Sequence, residues 1–477
     1  MKILYVTSEA NPFIASGGLG DVMGAVPVAI SELKEAEVEV IMPLYDAIKH
    51  KYGDKLEKCL DISFNLSWRK TGASIYRTYH SGVPYYFVEN SYYFDRGKLY
   101  GEWDDGERFA FFSTAVVEYM LKSGNIPDVL HSNDWQTALT VIYLKTKYAF
   151  LKEFLRVKTI YTIHNIEYQG KYDKAILGDV FALGGEYESI VENDGCINLM
   201  KGAIVTSDLV GTVSPNYANE LQYDFFAFGL SDIVKASQNK MRGIINGIDY
   251  NFFSPDKGGD IDYPFNKRCY KAGKAKNKAA LQKELGLNVR PDVPLVAMIT
   301  RLASQKGIDL LLRVLEELLS EDLQFVILGT GEKEYEDVLM DIASRHGNMK
   351  ALIKFDRVTS KKMYASADIF LMPSKSEPCG LSQMISCAYG TVPVVRAVGG
   401  LYDSITPYGE ENSNGFTFNN YNAHEMLFAL KGALNLYRNK TEWNALSKRA
   451  INTDFSWSKS ATEYMALYKT LIQTDRM

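Results

Sequence analysis

Residues 367–390, ADIFLMPSKSEPCGLSQMISCAYG, constrain the fold more than any other stretch of this chain. Residues 369–372 form a continuous apolar run with no polar face, which reads as a strand buried on both sides in a parallel sheet. Pro373 stops the run, a polar loop follows, and helical spacing of apolar residues predicts a helix from about Gly380. A strand that feeds a loop and then a helix turns the helix's free N–H groups toward the strand's C-terminal edge. With the helix dipole, those groups attract an anion. Glu377 lies in the same loop. An anion site that also holds a carboxylate suits a ligand with both phosphate and hydroxyls, as in a nucleotide sugar. The plainer alternative is that Glu377 and Pro378 simply open the helix, where acids and proline are favoured.

The same unit recurs. Residues 2–7 read as a strand, then come Gly17, Gly18 and Gly20 and a helix from about Asp21. The glycine spacing misses the dinucleotide fingerprint and lacks the Gly-Lys-Ser/Thr of a P-loop. The glycines let a backbone approach a ligand, or equally serve a tight turn and close helix–strand packing. Further strands are predicted at 38–44, 129–131, 158–163, 209–213, 295–299, 325–328 and 391–395, and the aromatic segment 85–94 reads as β. Helices are predicted at 109–121, 308–319 and 455–472. Repeated strand–loop–helix units mean a doubly wound α/β fold, with ligand groups at strand C-termini. His131, Asp134 and His164 fall at such ends. Arg301 and Lys306 flank a predicted helix N-terminus, where cations are unfavourable unless an anion lies between them and the dipole. Two solvated basic side chains are the alternative. Residues 243–292, polar and basic in their middle, read as the crossing between two domains. Asp260 and Asp262 form an Asp-x-Asp pair of the kind that can hold a divalent cation, but no strand flanks them and no metal is expected.

At 477 residues the chain is too long for one core. A formal charge of −5 provides no basic field, so neither nucleic acid nor an anionic membrane surface is an expected partner. Five scattered cysteines show no zinc spacing and read as free thiols of a reducing compartment. No run of apolar residues is long enough to span a membrane, and the N-terminus reads as a strand, so a cytoplasmic location is expected.

Taken together, the motifs resemble bacterial glycogen synthases and plant starch synthases. The resemblance rests on SEANPF…SGGLGDV (8–22), the HSNDW loop, YTIHNIEYQG (161–170), TVSPNYANE (212–220), INGID (245–249), TRLASQKG (300–307), LGTGE (328–332) and SEPCGLSQM (376–384). It implies the glycosyltransferase-B architecture: two Rossmann-like doubly wound domains facing across a cleft. Residues 1–242 would form the acceptor-side domain with helix 456–477 packed back on it, and residues 243–455 the nucleotide-sugar domain. The implied reaction transfers glucose from ADP-glucose to an α-1,4-glucan with retention and needs no cofactor. Arg301 and Lys306 would clamp the diphosphate, and the amides from Gly380 through Leu381 and Ser382 would add a phosphate contact. Glu377 would hold the donor sugar and His164 would face the anomeric carbon. Gly18 and Asp21 would border the donor, Asp134 and Asn246 would line the sugar, and Phe355 would stack on adenine.

Three positions depart from the family. Ala15 stands where the family carries Lys, which leaves the choice between ADP and UDP open. Ile385 occupies the place of a second Glu found in broader retaining relatives, and residues 225–230 carry bulkier aromatics than usual. The rival readings are a transferase of the same architecture with another donor or acceptor, and a silent glucan-binding protein.

Overall fold

A computed structural model describes residues 1–257 and 259–473. The chain divides into two compact units: Met1–Ile244 with the segment from Trp457, and Ile245–Ser456. The last four positions assigned to the C-terminal helix by sequence, 474–477, lie outside the described residues.

The first unit is built on strands β1 (Lys2–Val6), β2 (Glu37–Pro43), β3 (Glu57–Leu66), β4 (Arg69–His80), β5 (Val83–Glu89), β6 (Val129–Asn133) and β7 (Lys158–Ile163). Three short strands follow, β8 (Lys171–Tyr172), β9 (Glu192–Asn193) and β10 (Cys196–Asn198), then β11 (Leu209–Thr212) and β12 (Met241–Gly243). The main sheet runs β12-β11-β7-β6-β1-β2-β5-β4-β3. It is parallel except where the hairpin β3–β4 and its partner β5 pair antiparallel. The order reverses between β1 and β6. Chain leaving β1 goes one way to β2, and chain from β6 goes the other way to β7. Such a switch point opens a crevice at the strand C-termini.

The C-terminal helix Trp457–Gln473 packs on helix Gly18–Glu32 of this unit. Tyr468 is fully buried and its hydroxyl lies 2.5 Å from that of Tyr5. His131 receives the same hydroxyl at Nδ1, 2.9 Å away, and bonds Thr162 Oγ1 through Nε2 at 2.6 Å. His131 is thus a satisfied core side chain inside β6, not a ligand group at its end.

The second unit carries β13 (Leu295–Ile299), β14 (Gln324–Leu328), β15 (Met349–Leu352), β16 (Ile369–Met372), β17 (Val392–Arg396) and β18 (Phe416–Phe418). These pair in parallel in the order β15-β14-β13-β16-β17-β18, with the reversal between β13 and β16. Helix Ile308–Leu319 buries Ile308, Leu311, Leu315 and Leu318 in the same apolar core as Val296, Met298, Phe325 and Ile327. Each such side chain contributes about 1.5–3 kcal/mol relative to exposure.

Several sequence expectations are corrected. Strand β5 ends at Glu89, and Ser91–Phe94 is a helical turn because the Asn90 side chain accepts from the amides of Tyr92 and Tyr93. The supposed crossing, 243–292, contains helix Tyr270–Glu284, packed within the second unit on helix Arg357–Ser366. Two of its lysines, Lys274 and Lys278, are buried with partners. Lys274 Nζ donates to Thr391 Oγ1 at 2.6 Å, and Lys278 pairs with Asp368 at 2.7 Å. Asp260 and Asp262 face Lys361 at 2.6 Å and Lys362 at 3.6 Å. Among the described residues, no group of His, Cys, Asp or Glu gathers as a metal site, and no helix is long and apolar enough to cross a membrane.

Candidate functional site

In the second unit, Arg301, Lys306 and Glu377 come from the two loops that flank the switch point, after β13 and after β16. The first loop makes the turn Ser304–Lys306 and then Gly307, which opens the helix. Gly307 has φ +75°, and a Cβ there would stand 2.2 Å from the carbonyl oxygen of Pro373. Only glycine lets the two loops press together this closely. Lys375 N donates to Gln305 O at 2.8 Å across the same seam. Lys306 Nζ thereby reaches Glu377 Oε2 at 2.6 Å, and Ser374 Oγ donates to the same oxygen at 3.0 Å. Glu377 is 7% exposed, whereas Arg301 is exposed, with its Nη2 3.5 Å from Gln305 Oε1.

The Glu377 loop is also held from behind. Gly399, at φ +47°, lies so close that a Cβ would stand 1.9 Å from Glu377 O, and Gly400 N donates to that oxygen at 3.1 Å. The helix expected from Gly380 is Ser382–Ala388 instead. Gly380 sits in the preceding turn at φ +73°, with Leu381 at the N-cap and no side chain capping it. The amides of Leu381 and Ser382 therefore lie at the start of the helix, which begins two residues later than the apolar spacing suggests. Asn246 is buried, and its Oδ1 has no hydrogen-bond partner. Its backbone amide bonds the Cys379 thiol of the same loop, whose pKa burial pushes up to about 12. Phe355 lies beyond the end of β15 with its ring 82% exposed.

In the first unit, Gly18, Asp21, Asp134 and His164 follow β1, β6 and β7. Helix Gly18–Glu32 starts earlier than expected, so Gly18 and Asp21 both lie in its first turn. Asp21 Oδ1 accepts from Asn11 Nδ2 at 2.5 Å, and Gly18 has open space where a side chain would be. Asp134 adopts φ +56°, a strained conformation for a residue with a Cβ. That turn aims its carboxylate at the next loop, where Oδ1 accepts the amides of His164 at 2.8 Å and Asn165 at 3.4 Å. Burial raises the Asp134 carboxyl to about 7 against the pull of those amides.

The His164 ring is oriented by Asn133, a residue passed over within the quoted HSNDW motif. Asn133 Nδ2 donates to the carbonyls of Val6 and His131, which leaves Oδ1 facing His164 Nε2 at 2.9 Å. Nε2 then carries the ring proton and Nδ1 is the acceptor. Burial holds this imidazole neutral, with its pKa near 3. Glu9, also inside a quoted motif, is buried and accepts the amide of Ser16 at 2.5 Å, which fixes the loop ahead of Gly18.

Known proteins match this arrangement along its whole length. Residues 2–236 match the sequence model of the starch synthase catalytic domain, and residues 282–451 that of glycosyl transferases group 1. The chain is 42% identical over 480 residues to a glycogen synthase of Exiguobacterium sibiricum, covering 99% of each. It is 43% identical over 477 residues to that of Streptococcus mutans, covering 99% of this chain and all of the other. The chain belongs to the glycogen synthase and starch synthase family.

Among solved structures, the catalytic domain of starch synthase IV from Arabidopsis thaliana, bound to ADP and acarbose, superposes with a TM-score of 0.88 at 32% identity over 99% of both chains. Sucrose-phosphate synthase from Thermosynechococcus elongatus, at 16% identity and TM-score 0.63 over 99% of both chains, shares the fold. The two doubly wound units are those of the glycosyltransferase-B architecture. The chain is a glycosyltransferase of the kind that elongates α-glucan from a nucleotide sugar.

Proposed function

We propose that the enzyme transfers glucose from ADP-glucose to the non-reducing 4-hydroxyl of an α-1,4-glucan, with retention and without a metal or other cofactor. The observation that carries this reading is the Lys306–Glu377 pair, 2.6 Å apart at the switch point of the second unit. When the donor binds, the ammonium turns from the carboxylate to the diphosphate while Glu377 accepts from sugar hydroxyls.

Arg301, exposed and held by one long bond, is free to add a planar guanidinium to the same phosphates. The amides of Leu381 and Ser382 supply further donors. The buried, unpartnered Oδ1 of Asn246 suits a sugar hydroxyl, since an unmet buried acceptor costs about 1–3 kcal/mol. The exposed Phe355 ring suits an adenine face. In the first unit, Gly18 and Asp21 border the donor and the carboxylate of Asp134 lines the sugar side. The neutral His164, with its ring or its main-chain carbonyl, faces the anomeric carbon as positive charge develops there.

The bond from C1 to the diphosphate breaks as the acceptor's 4-oxygen closes on the same face. The acceptor's proton passes to the departing phosphate oxygen, so no protein carboxylate acts as nucleophile. A covalent glucosyl-enzyme trapped on a side chain would contradict this.

Ala15, exposed where the family carries a lysine, favours one second reading: UDP-glucose as the donor. The starch synthase IV structure contains ADP, which supports the first. Steady-state turnover of ADP-glucose and UDP-glucose with glycogen as acceptor decides between them. Higher kcat/KM for ADP-glucose is expected, and turnover with neither would overturn the proposal.

A further inference from the structure

The two loops that hold Lys306 and Glu377 are braced from the ends of the neighbouring strands. Arg396 ends β17, the neighbour of β16. Its Nη1 donates to Lys375 O at 2.7 Å and lies 3.4 Å from Ser374 O, while Nε donates to Asn419 O at 3.1 Å. One guanidinium thus ties the Glu377 loop to the segment leaving β18. Tyr421 lies in that segment. Its hydroxyl donates to Asp309 Oδ1 at 2.5 Å and stands 3.2 Å from Ser304 O. Ser304 begins the turn that carries Lys306, and Asp309 follows it in the first turn of the helix. Tyr421 therefore grips the Lys306 turn at both ends. Its ring in turn is flanked by two cations, the Arg396 guanidinium of β17 at 5.6 Å and the Lys375 ammonium of the Glu377 loop at 5.9 Å from the ring centroid.

We propose that Tyr421, working with Arg396, is a positioning residue: a strut from the ends of β17 and β18 that sets how the Lys306 turn stands against the Glu377 loop, and so how well the Lys306 ammonium meets a nucleoside diphosphate. The proposal rests on the donor reading above. Tyr421 touches no substrate; it acts through the backbone of Ser304 and the carboxylate of Asp309. A phenol bonded to a carboxylate and faced by two cations is a costly assembly for a residue that only fills space, since a phenylalanine would pack as well. What the hydroxyl adds is a fixed distance. Displacing a positioned group by about 1 Å can reduce turnover on the order of a hundredfold.

The test is Tyr421→Phe, which keeps the ring beside Arg396 and removes both hydroxyl contacts. It is read in the full-length enzyme by calorimetric binding of ADP and by steady-state kinetics. Affinity for ADP and kcat should each fall by about tenfold or more, the loss expected for a displaced group, with KM for glycogen unchanged. Combined with Lys306→Ala, the substitution should cause no further loss of ADP affinity, because the strut acts through Lys306. Parent-like ADP affinity and kcat in Tyr421→Phe would overturn the proposal, as would an equal further loss in the Lys306→Ala background. If Tyr421→Phe does not fold, Asp309→Ala, which removes the acceptor, reads the same strut from its other end, and unchanged ADP affinity there overturns it. If the parent binds UDP and not ADP, the donor reading fails, and the same comparison with UDP decides the strut. Binding of neither nucleotide overturns both.

Discussion

The ammonium of Lys306 and the carboxylate of Glu377 lie 2.6 Å apart, the one from the loop after β13 and the other from the loop after β16. Both side chains are largely enclosed, and Ser374 gives the carboxylate a second donor. Glu377→Gln keeps the shape and removes the charge, so the loop should stay in place while the sugar loses its strongest acceptor. Turnover should fall on the order of 10²–10³, the scale of removing one transition-state contact. Circular dichroism should remain that of the parent.

Gly399 offers a different kind of test, because it acts on the Glu377 loop through close backbone packing. Gly399→Ala forces a positive-φ backbone and a Cβ 1.9 Å from Glu377 O. The Glu377 loop must shift. Overpacking of this kind costs about 1–3 kcal/mol. Thermal unfolding should move down and activity should fall with it, whereas an alanine variant with parent stability and rate would show that the loop has slack.

How much of this was legible in the sequence depends on what each residue faces. Strands Lys158–Ile163, Leu295–Ile299 and Ile369–Met372 and helix Ile308–Leu319 coincide with the apolar patterns that predict them, because burial alone dictates those residues. Helix Tyr270–Glu284 was illegible for the opposite reason. Its buried face includes Lys274, Asn277 and Lys278, which read as solvated until their partners Thr391, Tyr263 and Asp368 are seen. At the site, motif residues such as Arg301, Lys306 and Glu377 stand out in the sequence as charges at strand ends. Arg396 and Tyr421 do not, since their contacts run between segments far apart in the chain.

Two neighbouring groups set the pH dependence in the first unit. Burial lifts the Asp134 carboxyl from its ordinary 3.8 to about 7, and burial holds the His164 imidazole near 3. The ionised Asp134 is the form that best accepts the amides of His164 and Asn165, so activity should rise with pH through about 7. Asp134→Asn should lose that limb. Selective labelling of histidine should show no titration of His164 between pH values of about 5 and 8, over which an unperturbed histidine would titrate. The stability sign is opposite. An acid whose folded pKa is raised contributes stability below its unfolded value and loses it as pH rises toward the folded one. Parent stability should therefore fall relative to Asp134→Asn between pH 3.8 and about 7.

Tyr468 joins the C-terminal helix to β1 and β6 through Tyr5 and His131. Tyr468→Phe removes one hydroxyl and leaves two buried polar groups short of a partner. Each such loss costs about 1–3 kcal/mol. Urea unfolding followed by fluorescence should show the first transition at lower denaturant, and an unchanged midpoint would mean the contacts are dispensable.

In the proposed reaction protein cations, not a bound ion, hold the sugar diphosphate. Transfer of labelled glucose from ADP-glucose to glycogen in the presence of EDTA, compared between the parent and Arg301→Ala, tests it most directly. Undiminished transfer by the parent in EDTA and a loss on the order of 10²–10³ in Arg301→Ala are expected. Parent activity that vanishes in EDTA and returns with Mg²⁺ or Mn²⁺, or an Arg301→Ala enzyme as fast as the parent, would contradict it.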